Sequence, residues 1–224
     1  GASVFASALA RSAGEALLVD LDPIGGGIDL LLGGESAPGL RWPDLGGDGG
    51  RLGWAAVRDA LPRQGGVYLM SGTRTCHEIA PDALAAVMEA GRRGGVTVVC
   101  DVPRQLAAAA AYAAENADLL VVLTTCDVRA IAAAAAWAGV LRAANPNVGL
   151  VVRGPAPGGL RAQEAAEAVG IPLLAAMRPE PRLAQRLERG GLRLRRRSPL
   201  TVAARAVLEV LPNSGGREPA ARAA

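Results

Sequence analysis

The 224 residues predict an α/β fold, a mostly parallel twisted sheet with helices on both faces. Three observations predict it. Short continuous runs of Val, Leu and Ile read as strands buried on both faces. Helical patterns separate those runs in regular alternation, the order that parallel strands require. Half of the residues are hydrophobic and 20% are charged, enough apolar material for a packed core and too little charge for a disordered chain.

Taken in chain order, residues 3–12 read as a helix and residues 15–20 as a buried strand ending in an acid. Gly25, Gly26 and Gly27 open a Gly-rich stretch through residue 53, broken by Trp42 and Pro43 and read as loop with short helical pieces at most. Residues 67–70 form a short strand. Residues 81–92 form a helix with proline in its first turn and Gly94-Gly95 behind it. Strands then follow at 96–101, 118–124, 148–153 and 171–175. Helices follow at 104–116, 127–143, 160–169, 180–189 and 199–210. Residues 212–224 lack periodicity and read as a disordered tail. At about 150 residues per domain, one large domain is the default.

Composition narrows the function. All 24 basic residues are arginine, and the chain contains no lysine. A net charge of +3 is too mild to imply nucleic acid by itself. Cys76, Cys100 and Cys126 have no metal-type spacing; the latter two read as small core residues in a reducing, cytoplasmic setting. No apolar run approaches the roughly 18–20 residues of a membrane span. The chain opens on Gly1, directly before a helical pattern, and is expected to be truncated at its amino end.

Ligands of an open parallel sheet sit at the carboxyl ends of its strands. Two strands end there in acids: Leu17-Leu18-Val19-Asp20-Leu21-Asp22-Pro23 and Val98-Val99-Cys100-Asp101-Val102-Pro103. An Asp in that position can hold Mg²⁺ through water beside a phosphate. Gly1-Ala2-Ser3 opens a helix, so its backbone N–H groups can face an anion, with the Ser3 hydroxyl available to the metal.

The order Gly-x-Ser then helix, a strand ending Asp-x-Asp-Pro, a strand ending Asp-x-Pro, then Thr124-Thr125-Cys126-Asp127 resembles the MinD/ParA family of deviant Walker ATPases. The string 152–160 and Arg195-Arg196-Arg197-Ser198-Pro199-Leu200 resemble its CpaE/TadZ-like branch, which includes actinobacterial septum-site-determining proteins. The resemblance covers nearly the whole chain. It implies a P-loop NTPase fold over residues 1–211, with the first strand and most of the P-loop lying upstream. It also implies ATP and Mg²⁺ as ligands. Gly1, Ala2, Ser3, Asp20 and Pro179 would then contact nucleotide, Ser3 and Asp101 would hold the metal, and Asp22 would assist the attacking water. It further implies a nucleotide-sandwich homodimer and partners in the division septum or a pilus/secretion machine.

The departures from that pattern are specific. Ala2 stands where the family places its phosphate-binding lysine, and Arg153-Gly154 stands where an adenine-reading Asn is usual. A P-loop lysine offsets charge during transfer, and arginine is not an equivalent point charge. Weak nucleotide binding and slow or absent hydrolysis are therefore expected; a working ATPase and a nucleotide-free scaffold are the alternatives. Blander roles compete for each residue: a helix cap for Ser3, Asp101 and Asp127, and a solvated turn for Asp20 and Asp22. The pair Cys76-His77 lacks an orienting acid. Arg193, Arg195, Arg196 and Arg197 read as a solvated approach to a helix rather than as a lipid or DNA contact. No membrane-binding tail of the MinD type is visible.

Overall fold

The computed structural model describes residues 1–46 and 51–211, so the tail expected at 212–224 lies outside the described residues. Its elements are α1 (Ala2–Ser12), β1 (Ala16–Asp20), α2 (Ile28–Leu32), a 3₁₀ turn (Trp42–Asp44), α3 (Trp54–Ala60), β2 (Arg63–Gln64), β3 (Val67–Met70), α4 (Pro81–Arg93), β4 (Thr97–Asp101), α5 (Ala108–Asn116), β5 (Leu120–Thr125), α6 (Val128–Ala144), β6 (Val148–Arg153), α7 (Ala162–Val169), β7 (Leu173–Met177), α8 (Leu183–Leu187) and α9 (Pro199–Val210).

The strands form two ladders, β2-β3-β1-β4 and β5-β6-β7. Every pairing is parallel except the short β2–β3 hairpin. The β1–β4 register sets Asp20 opposite Asp101, so the two acid-ended strands finish level with each other. Their apolar runs explain this. A strand covered on both faces has no polar positions until it leaves the core.

One helical layer spans both ladders. From α1, Phe5, Ala8 and Leu9 pack with Ala203, Ala204 and Val207 of α9 over Leu18, Leu69, Val151 and Met177. The opposite face is divided. Leu84 and Val87 of α4 and Ala113 of α5 cover Leu17, Val19 and Met70, while α6 and α7 cover Leu150 and Val152. Leu17, Leu18, Leu69 and Leu150 are completely buried, and truncating such a leucine to alanine costs about 2–5 kcal/mol. Gly170 ends α7 with φ at 74°, a left-handed turn that a side chain would strain.

Between the ladders the packing changes. All of β1 is buried, whereas the first four residues of β4 and the first four of β5 are only half-buried despite equal apolarity. Neither β4 nor β5 has a strand on its facing edge among the described residues. A cleft of about 500 Å³ runs along these edges, floored by Phe5, Ala6 and Leu9 of α1.

The structure departs from the sequence reading in a few places. The Gly-rich stretch holds α2, a short helical piece of the kind expected there, while α3, just past it, is an added element. The helix expected from 104 begins at Ala108, and the strand expected at 171–175 lies at Leu173–Met177. Asp101 therefore caps no helix, and the Ala107 cap of α5 has no side-chain bond. Cys126 is buried with its thiol toward the Leu160 carbonyl, Cys100 is half-buried, and Cys76 is exposed. No described helix is long and apolar enough to cross a membrane.

Candidate functional site

Asp20 closes β1 and is 4% exposed. Its two carboxylate oxygens accept the Asp22 amide at 3.1 Å and the Ile28 amide at 2.9 Å. The acid thus ties both ends of the loop that carries Asp22. The Asp20 carbonyl accepts the indole N–H of the buried Trp42 at 2.7 Å, which pins the same loop from outside. Burial raises the Asp20 carboxyl above its ordinary range, against the two amide bonds that favour its charged form. Asp20 is a loop organiser in this structure, with both oxygens already engaged.

Asp22 is half-buried and accepts the Ile24 amide at 3.2 Å. Gly25 passes so close that an added Cβ would lie 2.8 Å from the Asp22 carboxylate.

Asp101 closes β4, beside Asp20, and is 6% exposed. Burial pushes its carboxyl up to about 6, a hydrogen bond with Ser3 opposes that shift, and the charges of Asp20 and Asp22 add to it. Ser3 does not cap α1; the helix starts at Ala2 behind Gly1 with no side-chain cap, and the Ser3 hydroxyl is near enough to Asp101 to favour its charged form. The start of α1 and the ends of β1 and β4 therefore meet at one place. A hydroxyl beside one buried carboxylate is a donor set suited to Mg²⁺, which keeps most of its waters and takes one or two carboxylates together with phosphate oxygens. No group of three His, Cys, Asp or Glu side chains among the described residues closes into an all-protein metal cage.

On the other side of Gly1 lies the second ladder. A Cβ on Gly1 would stand 3.4 Å from Leu123 Cδ2 and 3.6 Å from a guanidinium nitrogen of Arg153. Arg153 ends β6, level with Thr125 and Met177. A cationic head group therefore sits beside the Gly1-Ala2-Ser3 turn although no lysine is present. Its sequence position, six strands and about 150 residues along the chain, gave no hint of this. Pro179 lies exposed two residues past β7, at the same end of the sheet.

Asp127 caps α6, accepting the Ala130 amide at 3.0 Å, and also bonds the Thr125 hydroxyl. His77 bonds only the Thr75 carbonyl through Nδ1, so no nucleophile pair forms with Cys76. Two large apolar side chains are exposed: Ile24, 76% exposed in the Asp22 loop, and Val128, 79% exposed at the start of α6 after β5.

No protein-family model matches the chain. Two curated proteins of Mycobacterium tuberculosis, the uncharacterized proteins MT3760 and Rv3660c, are each 65% identical to it over 215 residues. The aligned region is 96% of this chain and 61% of theirs, so the chain spans about three fifths of the length of the curated relatives it matches. Among solved structures, a ParA family ATPase from Chlorobium tepidum superposes with a TM-score of 0.78 at 15% identity, covering 92% of each chain. The cell division ATPase MinD of Pyrococcus furiosus gives 0.74 at 19%, covering 94% of each. The septum site-determining protein MinD of Pyrococcus horikoshii, solved with Mg-ADP, gives 0.70 at 18%, covering 93% of this chain and 87% of that one. With its parallel ladders, covering helices and acid-ended strands, the chain has the fold of the MinD and ParA ATPases.

Proposed function

We propose that this chain is the main part of a MinD/ParA-like positioning protein of the CpaE/TadZ type. It binds Mg-ATP weakly, hydrolyses it slowly or not at all, and acts in septum-site determination or in placing a pilus/secretion machine. The observation that carries the nucleotide reading is the junction of the Ser3 hydroxyl, the buried Asp101 and the Asp20-organised loop of Asp22 at one end of the sheet.

Bound ATP would bring the phosphate oxygens that complete the metal's coordination. Ser3 and Asp101 are the protein groups that would hold the ion, and the N–H groups opening α1 are suited to the phosphates. Asp22, on the loop that Asp20 ties, would assist the attacking water. What weakens the site is Ala2. Losing one positioned donor of transition-state charge costs about 10²–10³ in rate, by analogy with an oxyanion-hole deletion.

Arg153 favours the second reading, a working ATPase. Its guanidinium lies beside the Gly1 turn and offers charge where the lysine is missing. The matched relatives extend beyond this chain, and in the longer protein the cleft between β4 and β5 fits one further parallel strand joining the ladders into one sheet. The proposed site of action is the cytoplasm and the inner face of the membrane, as a homodimer with protein partners. Ile24 and Val128 on the rim of the site are suited to burial against a second copy.

Equilibrium binding of Mg-ATP and steady-state turnover on the full-length protein test the proposal. Saturable binding with turnover at background is the expected result. Turnover well above background that disappears in Asp22→Ala and falls about tenfold in Arg153→Gln, the loss of one charge-assisted hydrogen bond, establishes the working ATPase instead. Absence of binding at millimolar nucleotide leaves only a scaffold.

A further inference from the structure

The opposite end of the sheet carries a second cavity, of about 370 Å³, where the last turn of α1 meets the approach to α9 and the β2–β3 turn. Arg11, Ser12, Arg195, Arg196 and Arg205 line it, with Gly65 and Gly66 at its edge. Gly66 precedes β3 and its carbonyl accepts the amide of Ala16, the first residue of β1. The cavity therefore lies at the amino ends of the strands, away from the acids.

Four guanidiniums share this space, and no carboxylate lines it among the described residues. None of the four has an ion-pair partner among those residues. The nearby Glu15 is taken by the Tyr68 hydroxyl at 2.8 Å. Arg11 makes one long bond, 3.5 Å to the Leu32 carbonyl, while its Nε is buried with no partner; the Ser12 hydroxyl is likewise buried and unbonded. Burial also lowers the Arg11 guanidinium below its ordinary value. Buried polar atoms are nearly always satisfied, so two orphans in the wall of one arginine-lined cavity point to a missing acceptor.

The scaffold is built rather than incidental. Ser198 caps α9, its hydroxyl accepting the Thr201 amide at 3.3 Å, which fixes the residues just after Arg195 and Arg196. Arg205 is one turn farther along the same helix, and α9 packs against α1 in the shared core. A planar guanidinium presents paired N–H groups that match phosphate oxygens, and several around one concavity favour clustered negative charge. The volume exceeds what one phosphate needs and falls in the range of small-molecule pockets. No aromatic side chain lines it, which disfavours stacking on single-stranded nucleic acid.

We infer that this cavity is a binding site for a small organic anion carrying two or more phosphate groups, recognised by Arg11, Arg195, Arg196 and Arg205 with Ser12 as a hydrogen-bond donor. The inference stands independently of the nucleotide reading, since it uses no residue of the acidic end.

The test is calorimetric titration of inorganic pyrophosphate into the full-length protein in chelator, so that no metal supports binding at the acids. One saturable site in the micromolar range is expected. Arg195 and Arg205 are exposed, and Arg195→Gln and Arg205→Gln should each weaken it about tenfold or more, the loss of one charge-assisted contact, with circular dichroism unchanged. Ser3→Ala should leave it unchanged. Affinity that survives both arginine variants, or that falls in Ser3→Ala instead, overturns the inference. So does arginine-dependent binding to duplex DNA or to equimolar phosphatidylglycerol/phosphatidylcholine vesicles that pyrophosphate fails to compete away, because the arginines then serve an extended surface.

Discussion

The two ends of the sheet solve opposite electrostatic problems with the same strands. At the carboxyl ends, Asp20 and Asp101 hold carboxylates where burial disfavours their charge, with Asp22 beside them, and amide donors offset part of the cost. At the amino ends, Arg11, Arg195, Arg196 and Arg205 concentrate positive charge around unsatisfied donors. On the proposed readings, the acidic end would need a cation before it could hold a phosphate, and the arginine end would need none. One helix, α1, touches both, with Ser3 at its start and Arg11 near its end. Metal dependence is therefore the property that would distinguish anion binding at the two ends.

The largest expected effect is at Asp101. Its carboxyl is raised from 3.8 to about 6 in the folded chain, so the fold holds this proton more tightly than the unfolded chain does. Stability should fall as pH rises from about 4 to about 6, and above that window the charged carboxylate costs about 3 kcal/mol relative to a neutral one. Asp101→Asn should therefore stabilise the protein by up to that amount at pH 8 and leave it unchanged near pH 4, as urea titration at the two values reads directly. The same variant should lose Mg-dependent ATP binding. A variant destabilised at pH 8 would show that Asp101 contributes packing or bonding rather than strained charge.

A smaller effect tests what organises the acidic loop. Trp42→Phe keeps the ring buried but removes the indole N–H that bonds the Asp20 carbonyl. Leaving a buried carbonyl unsatisfied costs about 1–3 kcal/mol. Chemical denaturation should show that loss, and Mg-ATP affinity should fall with it if the bond holds the Asp22 loop in place. Unchanged affinity would separate the loop's stability from its function.

Much of the acidic end was legible in the sequence because its signals are local. A run such as Ala16-Leu17-Leu18-Val19 followed by Asp20 announces a buried strand and its exit in five consecutive residues, and the β4 run does the same. What the runs do not carry is register. That Asp20 faces Asp101, that Ser3 lies near Asp101 rather than capping α1, and that Arg153 stands beside Gly1 are consequences of strand pairing between distant segments. Helix α2 is the short helical piece the glycine-flanked stretch allows; only five residues long, it is held by the Asp20–Ile28 bond rather than by propensity. The arginine cavity was hidden for a related reason. Arg195 and Arg196 looked like a solvated run because Arg11 and Ser12, which make the place concave, lie more than 180 residues earlier.

The smallest expected effect is a coupling of nearly zero between the two ends. Strands of five residues at about 3.3 Å per residue separate them by roughly 15 Å. Energetic effects of sites farther apart than about 10 Å that share no partner add to within about 0.5 kcal/mol. The route between them is α1, a single packed helix with one arrangement in its core, and coupling over distance needs an element with two. Pyrophosphate affinity at the arginine end should therefore be the same in Asp101→Asn as in the parent, and Mg-ATP affinity the same in Arg205→Gln. A reproducible change of more than about twofold in either cross-measurement, beyond that additivity limit of about 0.5 kcal/mol, would mean that α1 shifts between two positions. Occupancy at one end would then report on occupancy at the other, and the two sites would have to be treated as one linked system.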